Sequence, residues 1–411
     1  MKRFLKRAAA FVLAGSIAGA VPVSAETLPP RAVLRAETET PQETDTMNLS
    51  APAAILMEPR TGSVIYEKNA DEQRPPASIT KIMTLLLIFE ELERGGIRLE
   101  DMVTVSEHAK SMGGSQVYLE QGEQQSVDTM IKCIVISSGN DASVAMAEHI
   151  AGSEGEFVAR MNARAGELGM KNTHFEDCCG LTDSENHYTT ARDVATMSRE
   201  LITRFPQVLD YSSIWMDTIV HNTAQGSSEF GLANTNKMLR TYDGCVGLKT
   251  GSTSRAKFCV SSVAKRNGIT LISVILGAPE SKSRFADAAA LLNYGFGKCR
   301  VYTDENQDPL SAVPVSHGVQ EEAECAYEKS FTYLDTKGAD LSGIEKKITL
   351  SEKVKAPISA GDRAGSADYY LNGEKIGSVD ILFTQSIDAR SFSDALAEIW
   401  FAILSGGEKN S

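Results

Sequence analysis

Between Pro75-Pro76 and Gly95-Gly96 runs a helical stretch, Ser78 to Glu93, that is apolar almost all round, with Ile82, Met83, Leu85, Leu86, Leu87, Ile88 and Phe89 close together. A helix without a polar face cannot lie at a surface and must be enclosed by other elements. The rest of the chain therefore has to build layers around it. At 411 residues and 42% hydrophobic content there is material for that core, and the length suggests two or three domains.

The elements that could supply those layers are readable on either side. Ala53-Ala54-Ile55-Leu56-Met57 and Ser63-Val64-Ile65-Tyr66-Glu67 flank a turn at Glu58 to Gly62, the pattern of a β-hairpin. Apolar helical segments from Val127 to Ser137 and Asp141 to Ala151 are broken by Ser138-Gly139-Asn140, and Glu156 to Leu168 continues with helical spacing. Asp177 to His187 is polar and reads as a long surface loop; Thr190 then caps a helix to Ile202. From Gly247 strands take over, with Phe258–Ala264 and Ile269–Leu276 joined by Asn267-Gly268 and followed by a closing helix, Arg284 to Phe296. Beyond Cys299 short alternating runs without a helix predict a small all-β domain. Phe392, Leu396, Ile399, Trp400 and Ile403 then recur at helical spacing in a terminal amphipathic helix.

The first 25 residues read as an address. Lys2, Arg3, Lys6 and Arg7 precede an apolar run from Ala8 to Val21, and Val23-Ser24-Ala25 is a small-x-small cleavage site. That run is shorter than the roughly 20 residues a membrane span takes. Residues 26–50, rich in Thr, Glu and Pro, predict a flexible leader. The expected location is outside the cytoplasm, at the outer face of the cytoplasmic membrane or the cell wall. A net charge of −13 with no basic stripe excludes nucleic acid as a partner. The seven cysteines show no CxxC spacing, which argues against a zinc site. Most are expected to be buried small hydrophobes. The neighbours Cys178 and Cys179 are poorly placed to bridge each other, and a Cys245–Cys259 link across one hairpin stays open.

Three short motifs stand in order: Ser78-Ile79-Thr80-Lys81, Ser138-Gly139-Asn140 and Lys249-Thr250-Gly251. Each is weak alone. Ser254-Arg255-Ala256-Lys257 and Ser262-Val263-Ala264-Lys265 repeat the first pattern, Ser184-Glu185-Asn186 the second, and Arg60-Thr61-Gly62 the third. Context separates them, because Ser78 and Lys81 share one face at the start of the most buried helix, whereas Ser262 and Lys265 face opposite sides of a strand. Read singly, Ser78 is a cap, Lys81 a snorkelling lysine and Ser138-Gly139-Asn140 a helix break. Read together they are chemistry. A serine hydroxyl needs a base to become a nucleophile, and a lysine is that base only when burial and a nearby cation such as Lys249 keep it neutral.

The ordered trio resembles the signature of the penicillin-recognising serine enzymes, and the surrounding text is similar to the D-alanyl-D-alanine carboxypeptidases, the low-molecular-mass penicillin-binding proteins. Pro76 to Thr84, Ser138 to Ala142, Asn172 to Phe175, Tyr188 to Asp193, Asn234 to Lys237 and Gly247 to Gly251 carry the resemblance. It implies an α/β (α+β) transpeptidase/β-lactamase-like catalytic domain over residues 51–298, a small β-sandwich-like domain over 299–387, and a terminal helix over 388–411. The apolar face of that helix, with Trp400, suits a membrane interface, the alternative being that it docks on the β domain. It also implies a reaction. Ser78 attacks the carbonyl between two terminal D-alanines of a peptidoglycan stem peptide, Lys81 is the base, Ser138 relays a proton to the leaving amine, and Asn140 orients Lys81 and the substrate. Lys249 and Thr250 bind the carboxylate, Gly251 allows substrate to lie close, and the N–H groups of Ser78 and Ser252 form an oxyanion hole. β-Lactams acylate Ser78, and no metal or organic cofactor is needed.

Two departures from the family pattern stand out: Lys257 where a glycine is usual, expected to crowd or recharge the strand behind the site, and Cys179 before Gly180. His149, read as a core or rim residue, and His187, read as a loop residue, invite a triad that their contexts do not favour. A β-lactamase and a non-catalytic stem-peptide scaffold are the alternative readings. The first lacks a recognisable Glu-bearing deacylation loop; the second does not explain why Ser78, Lys81, Ser138 and Lys249 are all intact.

Overall fold

The computed structural model describes residues 47–404. The expected signal peptide and most of the expected leader lie outside the described residues. The end of that leader is corrected: Leu49 is buried in the core, the Ser50 hydroxyl donates to the Asp287 carboxylate at 2.7 Å, and the Ala51 N–H donates to it at 2.8 Å. A buried carboxylate recruits whatever N–H and O–H donors the passing chain offers.

The layers around the central helix, Lys81–Arg94, rest on one antiparallel sheet ordered Ser63–Lys68, Ala53–Glu58, Ile269–Ala278, Lys257–Arg266, Cys245–Thr253. The strands Ala53–Glu58 and Ile269–Ala278 read as nearly continuous apolar runs because both of their faces are covered. Ala53, Ile55 and Met57 point into the core that holds the central helix, while Ala54 and Leu56 point into a second core under the helix Ser281–Lys298. The helices Val127–Val135, Asn140–Ala151, Glu154–Glu167 and Ala191–Arg204 complete the first core. Gly95, with φ 72°, ends the central helix in the left-handed conformation.

The C-terminal all-β region has its own core, in which the rings of Phe331 and Tyr369 stack at 3.7 Å. Its largest sheet joins Cys325–Tyr327, Glu374–Phe383, Arg363–Leu371 and Ile344–Leu350. The helix Phe392–Leu404 follows, with Phe392, Leu396, Ile399, Trp400 and Phe401 exposed. Among the described residues no helix is long and apolar enough to cross a membrane.

All seven cysteines are free, five of them buried. The open Cys245–Cys259 link is excluded by register, since Cys245 faces Ala264 and Cys259 faces Gly251. An exposed hairpin, Met216–Thr223 with Gly226–Ala233, has no counterpart in the sequence reading.

Candidate active site

Ser78 sits in a single 3-10 turn, Ala77–Thr80, that leads into the central helix. That turn is squeezed from two sides. Gly251 abuts it closely enough that a Cβ there would lie 2.9 Å from the Ser78 nitrogen and the Pro76 oxygen. On the other side Gly180, with φ 78°, presses so close that a Cβ would overlap the Ala77 carbonyl oxygen. Gly251 was expected to make room for substrate; its missing side chain makes room for the Ser78 turn instead.

Lys81 is 0% exposed. Its Nζ lies 3.0 Å from Ser78 Oγ, 2.6 Å from Asn140 Oδ1 and 2.7 Å from the Cys179 carbonyl oxygen. The Asn140 amide is oriented by donating to the Gly113 carbonyl at 2.7 Å. Burial holds the Lys81 ammonium below its ordinary value, against the pull of the neighbouring cysteine thiols, Asp177 and Asp141. Lys249, 1% exposed, donates to Ser138 Oγ at 2.8 Å and to the Thr250 carbonyl at 2.9 Å. Burial, reinforced by Lys81 and Arg284, pushes it well below the normal lysine range. Ser138 is presented from the left-handed region, φ 62°, in the break between two helices. Ser252 follows Gly251 on the outermost strand and is exposed.

The three motifs thus meet, and their look-alikes do not join them. Ser262 is buried on a strand where its hydroxyl donates to Met238 Sδ, and Arg60-Thr61 belongs to the turn between the first two strands. Lys257 does not crowd the site. It is exposed at φ 56°, the left-handed position of a hairpin turn, which is why a glycine would also fit there.

The segment Asp177 to His187 is the surface loop its polarity predicts only in its middle, where Leu181, Asp183, Glu185 and Asn186 are exposed; its two ends turn inward. Cys178, Cys179 and His187 are buried, and Asp177 gathers the N–H groups of Cys179, Gly180 and Thr182. This fold turns the Cys179 and Cys178 carbonyls toward Lys81 and Thr84. Asp177 spends its carboxylate on this backbone rather than on water, while Asp183, Glu185 and Asn186 face solvent. Thr235 is a further contact the motifs do not mark: its hydroxyl lies 2.6 Å from that of Thr250. The Asn234-Thr235-Asn236 segment is set by Asn236, which donates to the Gly247 carbonyl at 3.1 Å. His149 is exposed, the rim position of its two readings.

Comparison with known proteins agrees with this geometry. Residues 37–280 match the family model for D-alanyl-D-alanine carboxypeptidases of the serine peptidase group S11, and residues 302–389 match the C-terminal domain of penicillin-binding protein 5. D-alanyl-D-alanine carboxypeptidase DacF of Bacillus subtilis is 39% identical over 83% of this chain and 87% of its own length. DacC of Escherichia coli is 32% identical over 85% and 88%. Among solved structures, penicillin binding protein 5 from Haemophilus influenzae superposes with a TM-score of 0.62 at 28% identity, covering 83% of this chain and 98% of that one. A peptidoglycan synthesis regulatory factor, PBP3, from Streptococcus pneumoniae superposes with a TM-score of 0.67 at 26% identity, covering 83% and 100%. A buried lysine poised on a serine, set in a penicillin-recognising fold and matched over most of its length, places this chain in the family of serine-type D-alanyl-D-alanine carboxypeptidases.

Proposed function

We propose that this chain trims the last D-alanine from peptidoglycan stem peptides through an acyl-enzyme on Ser78. The observation that carries the assignment is the environment of Lys81 Nζ. A neutral amine has two hydrogens and one lone pair. Asn140 Oδ1 and the Cys179 carbonyl take the two hydrogens, leaving the lone pair directed at Ser78 Oγ, 3.0 Å away. Ser78 Oγ bonds to the carbonyl carbon of the penultimate D-alanine as its proton passes to Lys81. The proton then reaches the leaving nitrogen through Ser138, the C–N bond breaks, and D-alanine departs. Water hydrolyses the ester and restores the hydroxyl.

Lys249 has no ion-pair partner among the described residues, so the substrate's terminal carboxylate supplies the missing anion, with Thr250 as a second donor. Ser78 and Ser252 donate backbone N–H groups to the oxyanion. A β-lactam offers the same carboxylate and a strained carbonyl and stops at the acyl-enzyme. D-Alanine release from diacetyl-Lys-D-Ala-D-Ala, measured beside a Ser78→Ala variant, tests the assignment: release by both proteins, or by neither, overturns it.

The same proposal places the protein outside the cytoplasm, delivered by residues 1–25, with the helix Phe392–Leu404 lying in a membrane interface. The exposed Phe392, Ile399, Trp400 and Phe401 suit that environment, although Asp394 makes binding rest on apolar burial. Deletion of residues 388–411 is expected to release the protein from sedimenting membranes; unchanged sedimentation would remove the anchor.

A further inference from the structure

We propose that His187 is a positioning residue for the nucleophile: as its Nε2–H tautomer it acts through Thr80 to fix the peptide plane that presents Ser78. The inference rests on the assignment of Ser78 as nucleophile.

His187 is buried, and its two ring nitrogens have different neighbours. Nδ1 lies 3.0 Å from the backbone nitrogen of Glu176. A backbone N–H can only donate, so Nδ1 must present its lone pair, and the proton of the neutral ring is on Nε2. Nε2 lies 2.8 Å from Thr80 Oγ1, and the Thr80 hydroxyl is 2.8 Å from the Ala77 carbonyl oxygen. The hydroxyl has one hydrogen, which goes to the carbonyl, so it accepts from the ring. The relay therefore runs in one direction, from His187 Nε2–H to Thr80 to Ala77 O.

What it holds is the peptide unit joining Ala77 to Ser78. That unit is planar, so restraining the Ala77 oxygen also fixes the direction of the Ser78 N–H, the proposed oxyanion donor. Restraint is needed there because Ala77 has φ 49°, a conformation a residue with a Cβ rarely adopts. The motifs could not reveal this role, since His187 lies far along the chain and touches neither Ser78 nor Lys81 directly.

The relay also has an acid limit. The groups facing the ring are Asp177, whose carboxylate is 4.0 Å from Nδ1, Glu176 and His174, with Phe175 edge-on at 5.9 Å. Burial holds His187 below its ordinary value despite the opposing pull of Asp177 and Glu176, and His174 adds to the depression. Below that value Nδ1 gains a hydrogen that points at the Glu176 N–H, two donors meet, and the ring is driven toward Asp177. The orienting effect is thus present above the depressed value and lost as pH falls through it.

The test uses the full chain and the second-order rate at which a fluorescent penicillin acylates Ser78, with the thermal midpoint measured in parallel. Glutamine can reproduce both bonds without titrating, its oxygen accepting from Glu176 and its amide donating to Thr80. Phenylalanine keeps the ring volume and neither bond. His187→Ala and His187→Phe are expected to acylate about 10- to 100-fold more slowly when each is assayed well below its own thermal midpoint, which the two lost bonds lower. His187→Gln is expected to recover most of the rate and to lose only that part of the acid fall-off due to the imidazole. A His187→Phe variant at the wild-type rate, or a His187→Gln variant no faster than His187→Ala, overturns the proposal. Labelling that persists in Ser78→Ala instead overturns the nucleophile assignment beneath it.

Discussion

Two regions of this molecule cover lysines, under opposite conditions. Lys81 and Lys249 lie in the catalytic core among hydroxyls, an amide and carbonyl oxygens, and neither has an ion-pair partner among the described residues. Lys346, in the C-terminal β region, sits between Asp304 at 3.0 Å and Asp308 at 2.7 Å, over the ring of Tyr327. Burial depresses the first two. It opposes the charge of Lys346 as well, but there the bonds to Asp308 and Asp304 prevail and raise the lysine above its ordinary range. The same side chain is thus a reactive amine in one place and a structural tie in the other. Depth and contact act together: full burial with no carboxylate in contact gives the first, and two contacting carboxylates nearer the surface give the second.

The sharpest way to break this contrast is Lys81→Arg. Arginine keeps a cation but cannot surrender its proton at any working pH, so penicillin acylation is expected to fall by about 10²- to 10⁴-fold, the range of a lost general base. Retention of activity by the variant would mean that Lys81 serves as a charge.

The next largest effect is on pH dependence. For Lys81, acylation should rise with pH through a folded-state value below 10.5 and vanish as pH falls through it. Stability follows the same sign. Between the depressed folded values and the unfolded value the unfolded chain binds more protons, so urea midpoints of the catalytic core should climb as pH rises through that window. Lys249→Met should flatten part of the climb, and an unchanged slope would show that Lys249 is not depressed. For Lys346 the raised value reverses the sign: its contribution is complete below 10.5 and lost only in strong alkali.

Smaller effects sharpen the comparison further. Thr235→Ala removes the hydroxyl beside Thr250, and a lost hydrogen bond of about 1 kcal/mol predicts a roughly five-fold weaker apparent affinity for the carboxylate substrate, with little change in turnover. Lys346→Met should lower stability by only about 0.5–1 kcal/mol, as expected for an ion pair near the surface. Acylation by penicillin should not change, and a change would link the two regions energetically.

The catalytic trio was legible because each motif is local and carries its own context. Ser78 and Lys81 share a helix start, Ser138 breaks two apolar helices, and Lys249 opens onto a strand pair. The doubly covered strands were legible from unbroken apolar runs such as Ala53 to Met57. What escaped depends on partners distant in sequence. The polarity of Asp177 to His187 suggested solvent, which holds for Asp183, Glu185 and Asn186, but at its ends His187, Cys179 and Asp177 are taken up by Thr80, Lys81 and the segment's own backbone. Thr235 meets Thr250 through a turn that no periodicity marks. The hairpin Met216–Thr223 stayed hidden because it buries little beyond Ile219 and His221, so its alternation is faint.

The double clamp on the Ser78 turn makes penicillin labelling a reporter of folding. Residues near 77, 180 and 251 are far apart along the chain, and pairings of such separation form late and slowly. A refolding chain whose central helix has formed, but whose Gly251 strand has not docked, has a serine and a lysine without a seat for either. The appearance of label on Ser78 during refolding should therefore time the arrival of that strand, not the formation of the helix.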